Sequence, residues 1–128
     1  MTARDPSFKI PGRPERSFPR SGGLEYEGTT VFELRPEIGH ENGQLERLVE
    51  RVLDDGPYRS GDFMELPMLL YLVRDEETTD VFRVTVRKGA VQLHVLPETE
   101  SEGLRRFYDR LCESTDCEWT VTCRTDFA

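Results

Sequence analysis

The sequence predicts an α+β fold: a two-layer sandwich with a mostly antiparallel sheet and two helices on one face, in the order β-α-β-β-β-α-β. Three observations predict it. Two segments repeat apolar residues at helical spacing, and four others alternate them with period two. Two helices that each carry one apolar stripe need one sheet face to cover, which favours a two-layer arrangement. Leu, Ile, Val and Phe also make up a quarter of the 128 residues, enough for one lean core.

The chain opens on an arm, residues 1–22, that is basic, Pro/Arg-rich and either disordered or extended. Arg4, Lys9, Arg13, Arg16 and Arg20 outweigh Asp5 and Glu15, and Pro6, Pro11, Pro14 and Pro19 fall in the same stretch. Proline removes backbone donors and fixes φ, so neither helix nor ladder is expected to run through it. Phe8, Ile10 and Phe18 give the arm apolar groups with which to dock. A single α+β domain is expected over 23–128.

Leu24, Tyr26, Thr30, Phe32 and Leu34 share one parity, which reads as a half-buried strand stopped by Pro36 and Gly39. Leu45, Leu48, Val49, Val52 and Leu53 then stand at i, i+3, i+4, i+7 and i+8, the core stripe of a helix. Asn42 is its expected N-cap, and Gly56-Pro57 closes it. After a loop at Tyr58 to Gly61, Phe63 to Arg74 reads as one long apolar strand, with Pro67 demanding a bulge or an edge.

Asp75 to Thr79 turns the chain, and Phe82, Val84 and Val86 alternate inward. Lys88-Gly89 supplies a two-residue hairpin turn, and Val91, Leu93 and Val95 return. This turn sets Val86 opposite Val91, Val84 opposite Leu93 and Phe82 opposite Val95. On the other side it sets Arg83 opposite His94 and Thr85 opposite Gln92. Thr99 and Glu102 form a capping-box signature ahead of a second stripe, Leu104, Phe107, Tyr108, Leu111 and Cys112. Cys117, Trp119, Val121 and Cys123 define the inward side of the last strand.

Setting Leu72 across from Phe82 places Met68, Leu70 and Leu72 in the core. It turns Leu69, Tyr71 and Val73, with Val81, to the open face. An apolar patch of that size would normally be covered. The expected cover is a homodimer or another protein partner, or else the folded-back arm. The first functional expectation is therefore a non-catalytic protein-interaction or dimerisation module. The second is a small-molecule or anion-binding domain, or an enzyme, using Arg83, His94, Arg87 and Arg124 on the same face. Outward strand positions are commonly just polar, with such arginines paired to Glu33 or Glu118 in weak surface ion pairs.

A third expectation, a nucleic-acid accessory protein using the arm, meets an obstacle in charge. The arm is net +3, but the whole chain is −8 and the remainder −11, which repels a phosphate backbone. Cys112, Cys117 and Cys123 lack the spacing of a zinc knuckle and read as small core residues, so no metal is expected. No dinucleotide fingerprint, phosphate loop, zinc-protease or nucleophile-elbow motif occurs; no cofactor is expected and no catalytic residue is assigned. The longest apolar run, Leu66 to Val73, is too short for a membrane span of about 20 residues. An odd cysteine count and the missing apolar leader point to a reducing cytoplasm.

Only two of the basic residues, Lys9 and Lys88, are lysines against fifteen arginines, beside 25 Asp and Glu. In this composition the chain resembles the small acidic cytoplasmic proteins of halophilic archaea. That resemblance implies a surface adapted to concentrated salt, where charge repulsion is screened within about 3 Å at 1 M. It assigns no catalytic or binding residue.

Overall fold

The apolar stripes of the two helices decide the layering. In the computed structural model, which describes residues 7–17, 25–37, 39–65 and 68–126, ten elements follow one another. They are β1 (Glu15–Ser17), β2 (Glu25–Glu27), β3 (Thr29–Pro36), α1 (Asn42–Asp55), β4 (Tyr58–Glu65), β5 (Met68–Asp75), β6 (Val81–Arg87), β7 (Ala90–Val95), α2 (Ser101–Glu113) and β8 (Trp119–Asp126). Six strands form one open sheet in the order β4-β5-β6-β7-β3-β8, every neighbouring pair antiparallel. The fold is the two-layer α+β sandwich that the periodicities predict, and the order β-α-β-β-β-α-β holds with β1 and β2 ahead of it and its second strand divided into β4 and β5.

Leu45, Val49, Val52 and Leu53 of α1 and Leu104, Phe107 and Leu111 of α2 are buried against Phe32, Leu34, Phe82, Val84 and Leu93 of the sheet. Phe82 and Phe107 meet edge to face, with ring centroids 5.6 Å apart. The β6–β7 hairpin has the expected register: Phe82 faces Val95, Val84 faces Leu93 and Val86 faces Val91. Lys88 and Gly89 both adopt positive φ, 51° and 72°, as a primed two-residue turn requires.

The long strand expected over 63–74 is instead a hairpin. Glu65 pairs with Met68, so the chain reverses between β4 and β5, and the expected loop at Tyr58 to Gly61 is the start of β4. The bulge expected at Pro67 lies outside the described residues.

The facing of β5 is also corrected. Val73, not Leu72, stands opposite Phe82, and Leu72 faces Arg83. The connection holds four residues rather than three: Asp75 N–H donates to Asp80 O at 2.8 Å, enclosing Glu76 to Thr79. Asp75 Oδ1 accepts the N–H groups of Glu77 and Thr78, and Thr79 turns with φ 65° to complete the loop. A slip of one residue exchanges the two faces of a strand. Tyr71 and Val73, expected on the open face, are therefore buried in the core, and Leu72 is exposed. The Tyr71 hydroxyl donates to Glu50 Oε1 of α1 at 2.8 Å. The side chains of Met68 and Leu69 lie outside the described residues.

The described part of the arm is extended, and its Phe8 packs on the helix side. Phe8 is buried, its ring 5.2 Å from that of Phe32 and 5.4 Å from that of Tyr108. Arg13 Nε donates to Thr99 O, and its Nη2 pairs with Glu100. Phe18 lies outside the described residues. β1 and β2 make a separate two-stranded ribbon, and Gly28, at φ 88°, breaks β2 from β3 where one continuous strand was expected.

Both caps differ from expectation. Glu41, not Asn42, is the N-cap of α1, with its N–H donating to Gln44 Oε1 at 2.9 Å. Asn42 Oδ1 instead accepts the Gly89 N–H and ties the hairpin turn to the helix. Thr99 is wholly buried and donates its hydroxyl to Val81 O, so it is unavailable as a cap. The start of α2 is served by Asp80, whose Oδ2 accepts the Gly103 N–H at 2.7 Å. A Cβ at Gly103 would lie 2.5 Å from Asp80, so this approach requires glycine.

Candidate functional site

Because β6 and β7 share a two-residue turn, their outward residues fall into rows across the back of the sheet. One row runs Leu72, Arg83, His94, Val31 and Arg124, from β5 through β6, β7 and β3 to β8. The next runs Leu70, Thr85, Gln92, Glu33 and Thr122. The structure thus brings Arg83 and His94 together as cross-strand neighbours. Arg124 lies two strands beyond His94, roughly 10 Å at ordinary strand spacing. Arg87 lies four residues along β6 from Arg83, roughly 13 Å.

The face divides into two halves by how its charges are met. On the β3–β8 half, Glu33 accepts Arg124 Nη1 at 2.9 Å and Arg35 Nη2 at 3.3 Å. That is the surface ion pairing expected of outward strand arginines, with Glu33 as partner. On the β6–β7 half, Arg83 and Arg87 form no ion pair among the described residues.

Between them, His94 Nε2 lies 2.9 Å from Thr85 Oγ1, and the Thr85 hydroxyl donates to Gln92 Oε1 at 3.0 Å. A hydroxyl has one proton to give, so in this arrangement His94 Nε2–H donates to Thr85 and Nδ1 keeps its lone pair. Burial, with the charges of Arg83, Arg124 and Arg87, lowers the imidazole pKa from 6.5 to about 4. At neutral pH, His94 is therefore an uncharged ring held in a positive field.

Arg83 and His94 also line a cleft of about 110 Å³, closed by Pro14 of the arm, Gly28 to Val31, and Val95 to Leu96. Its size suits a small anion rather than an extended molecule. Sequence reasoning paired Arg83 with His94 and Thr85 with Gln92, but missed that Thr85 is buried and that Pro14 walls the cleft. Proline density marked the arm, but nothing in the sequence said where it would lie.

Of the proposed interface residues, Tyr71 and Val73 belong to the core, and Val81 is half-buried on the open face. Leu72 takes their place as the exposed large hydrophobic residue among those described, at 40%. Cys112 and Cys117 pack against the core, and burial pushes the Cys112 thiol pKa up, away from nucleophilic character. Cys123, expected in the core, is exposed near the end of edge strand β8. No group of three or more His, Cys, Asp or Glu residues among those described is placed to hold a metal ion. No helix among them is long and apolar enough to cross a membrane. Set against family models, curated proteins and solved structures, the chain matches none.

Proposed function

We propose that the chain is a binding domain of a salt-adapted cytoplasm, without catalysis of its own, that receives a small anion on the β6–β7 half of its open face. One observation carries this reading: Arg83 and Arg87 stand without carboxylate partners, among the described residues, in a chain holding 25 Asp and Glu. Guanidinium groups left unpaired in such a chain are free to make charge-assisted hydrogen bonds to a ligand. Neutral His94 adds a polar ring without adding a competing anion. The field that lowers its pKa is also the field that would attract the ligand.

The two effects are linked. An anion seated beside Arg83 offsets the positive field, so it should raise the His94 pKa. Sulfate is a suitable probe because it does not titrate in the relevant range. The imidazole proton resonances of His94 should titrate at a higher pH in sulfate than in sodium chloride of equal ionic strength, and Arg83→Gln should abolish the difference. Identical His94 curves in the two salts would reject the anion site.

A second reading keeps the interaction module, now centred on Leu72 with Leu70 and Val81 rather than on Tyr71. Its supporting observation is the 40% exposure of Leu72. A homodimer through that face should sediment at twice 14.8 kDa and revert to monomer with Leu72→Glu. A wild-type chain that sediments as a monomer in both low and molar salt would remove the homodimer.

A further inference from the structure

The solvent side of α1 carries a second set of arginines, unrelated to the sheet face. Gln44, Arg47, Leu48 and Arg51 stand at i, i+3, i+4 and i+7, so they share one side of the helix. With His40 from the loop before α1 and Thr115 from the loop after α2, they line a cleft of about 290 Å³.

Each wall has a physical identity. Thr115 is fixed in place: its Oγ1 accepts the Trp119 Nε1–H at 2.9 Å and donates to Leu111 O at 3.3 Å. Leu48 packs on the core and gives the cleft an apolar floor. Gln44 commits its Oε1 to the Glu41 N–H, which leaves its amide N–H groups as the donors it can offer.

The arginines are the informative part. Glu50 lies three residues beyond Arg47, and Asp54 and Asp55 lie three and four beyond Arg51, spacings at which helix ion pairs ordinarily form. Neither arginine pairs with any of them among the described residues. Glu50 accepts the Tyr71 hydroxyl instead, and Glu50 and Asp54 line a different depression, with Ser60 and Tyr71. The cleft itself is lined by no carboxylate among the described residues, although Asp55, four residues beyond Arg51, shares that side of the helix. Two guanidinium forks one turn apart match the oxygen geometry of a phosphate dianion, which can accept two hydrogen bonds from each. The volume exceeds what one tetrahedral anion fills and reaches the lower end of small-molecule pockets, roughly 300 Å³.

We propose that the α1 cleft binds a phosphomonoester of a small organic group, its phosphate held by Arg47 and Arg51 and its organic part resting on Leu48. The site is separate from the sheet face and stands or falls independently of it. The test is a titration of the full-length, isotope-labelled chain with phenyl phosphate, with inorganic phosphate, and with sodium chloride at matched ionic strength, read from amide and arginine Nε resonances.

Phenyl phosphate should move Arg47, Leu48, Arg51 and Thr115 saturably and bind several-fold tighter than inorganic phosphate. The double substitution Arg47→Gln/Arg51→Gln should weaken it at least tenfold. Arg47→Lys/Arg51→Lys, which keeps the charge, should weaken it by a smaller factor, and Arg83→Gln should leave it unchanged. Shifts that chloride reproduces, shifts that survive the double substitution, or binding lost with Arg83→Gln would each overturn the proposal. Equal affinity for the two phosphates would assign the cleft to a bare oxyanion and overturn the phosphomonoester.

Discussion

On the helix-covered side of the sheet, two carboxylates are driven out of water and both are met, whereas on the open side two arginines pair with no carboxylate among the described residues. Asp75 is fully buried, with Oδ2 3.2 Å from Arg106 Nε and Oδ1 accepting two backbone N–H groups. Asp80, nearly as buried, accepts the Gly103 N–H, and burial still raises its pKa. A charge removed from water without a partner costs several kcal/mol, so the covered side tolerates only matched charges. Arg87 is exposed and Arg83 half-buried, so a charge there costs less to leave without a carboxylate beside it among the described residues. Ligand chemistry is more readily read from the second kind of surface than from the first.

The contrast should be plainest in stability. Phe107 is wholly buried and edge-on to both Phe82 and Tyr58. Phe107→Ala should cost about 3–5 kcal/mol, the usual range for deleting a buried aromatic. Leu72→Ala, on the open side, should stay within about 0.5 kcal/mol. Urea denaturation of both variants checks this, and equal losses would mean that the open side is itself a core. Tyr71→Glu would not probe an interface, because Tyr71 is buried and the change would put a carboxylate inside the domain.

The same two sides explain what could be read in advance. The β6–β7 hairpin was legible because Lys88-Gly89 permits one turn type, and that turn fixes every pair in the ladder. The β5–β6 connection was not. Glu76 to Thr79 has no glycine or proline to mark its length, and the extra residue is Thr79, a β-branched residue at positive φ. The loop length is settled by Asp75 accepting neighbouring N–H groups, a local competition that composition does not reveal. Missing it by one residue inverted β5 and moved the expected apolar patch from Leu72 to Tyr71 and Val73. The Arg83–His94 pairing rested on the legible turn and held. Nothing in the sequence singles out Arg47 and Arg51, because the cleft needs Thr115, more than sixty residues away in the chain.

A second effect should appear with acid. Folded His94 titrates at about 4 instead of 6.5, so between those values the unfolded chain binds more protons than the folded one. The stability contributed by the neutral ring is complete above pH 6.5 and lost as the pH falls through about 4, up to about 3 kcal/mol in all. Many carboxylates also titrate in the lower part of this window, so the informative quantity is a difference. The stability gap between wild type and His94→Gln should change by that amount from pH 7 to pH 4, in the direction of wild type losing more. A gap independent of pH would show that His94 is solvated like any surface histidine and that the open side is uniform.

The smallest effect separates the two halves of the open side itself. Burial is the main cause of the low His94 pKa, Arg83 is the next, and Arg124 follows. Arg83 is the cross-strand neighbour of His94, and no carboxylate among the described residues pairs with it. Arg124 is two strands away and shares Glu33 with Arg35. Arg83 is the nearer charge and is half-buried beside the ring, while Arg124 is farther off and 65% exposed, so water screens it more. Arg83→Gln should raise the His94 midpoint by a fraction of a pH unit, and Arg124→Gln by distinctly less, both followed through the imidazole resonances. Neither should shift stability at neutral pH by more than about 1 kcal/mol, as expected for charges that water still reaches. If Arg124→Gln moved His94 as far as Arg83→Gln, the positive field would belong to the whole sheet and not to its β6–β7 half, and the anion would have no reason to prefer the cleft beside Arg83.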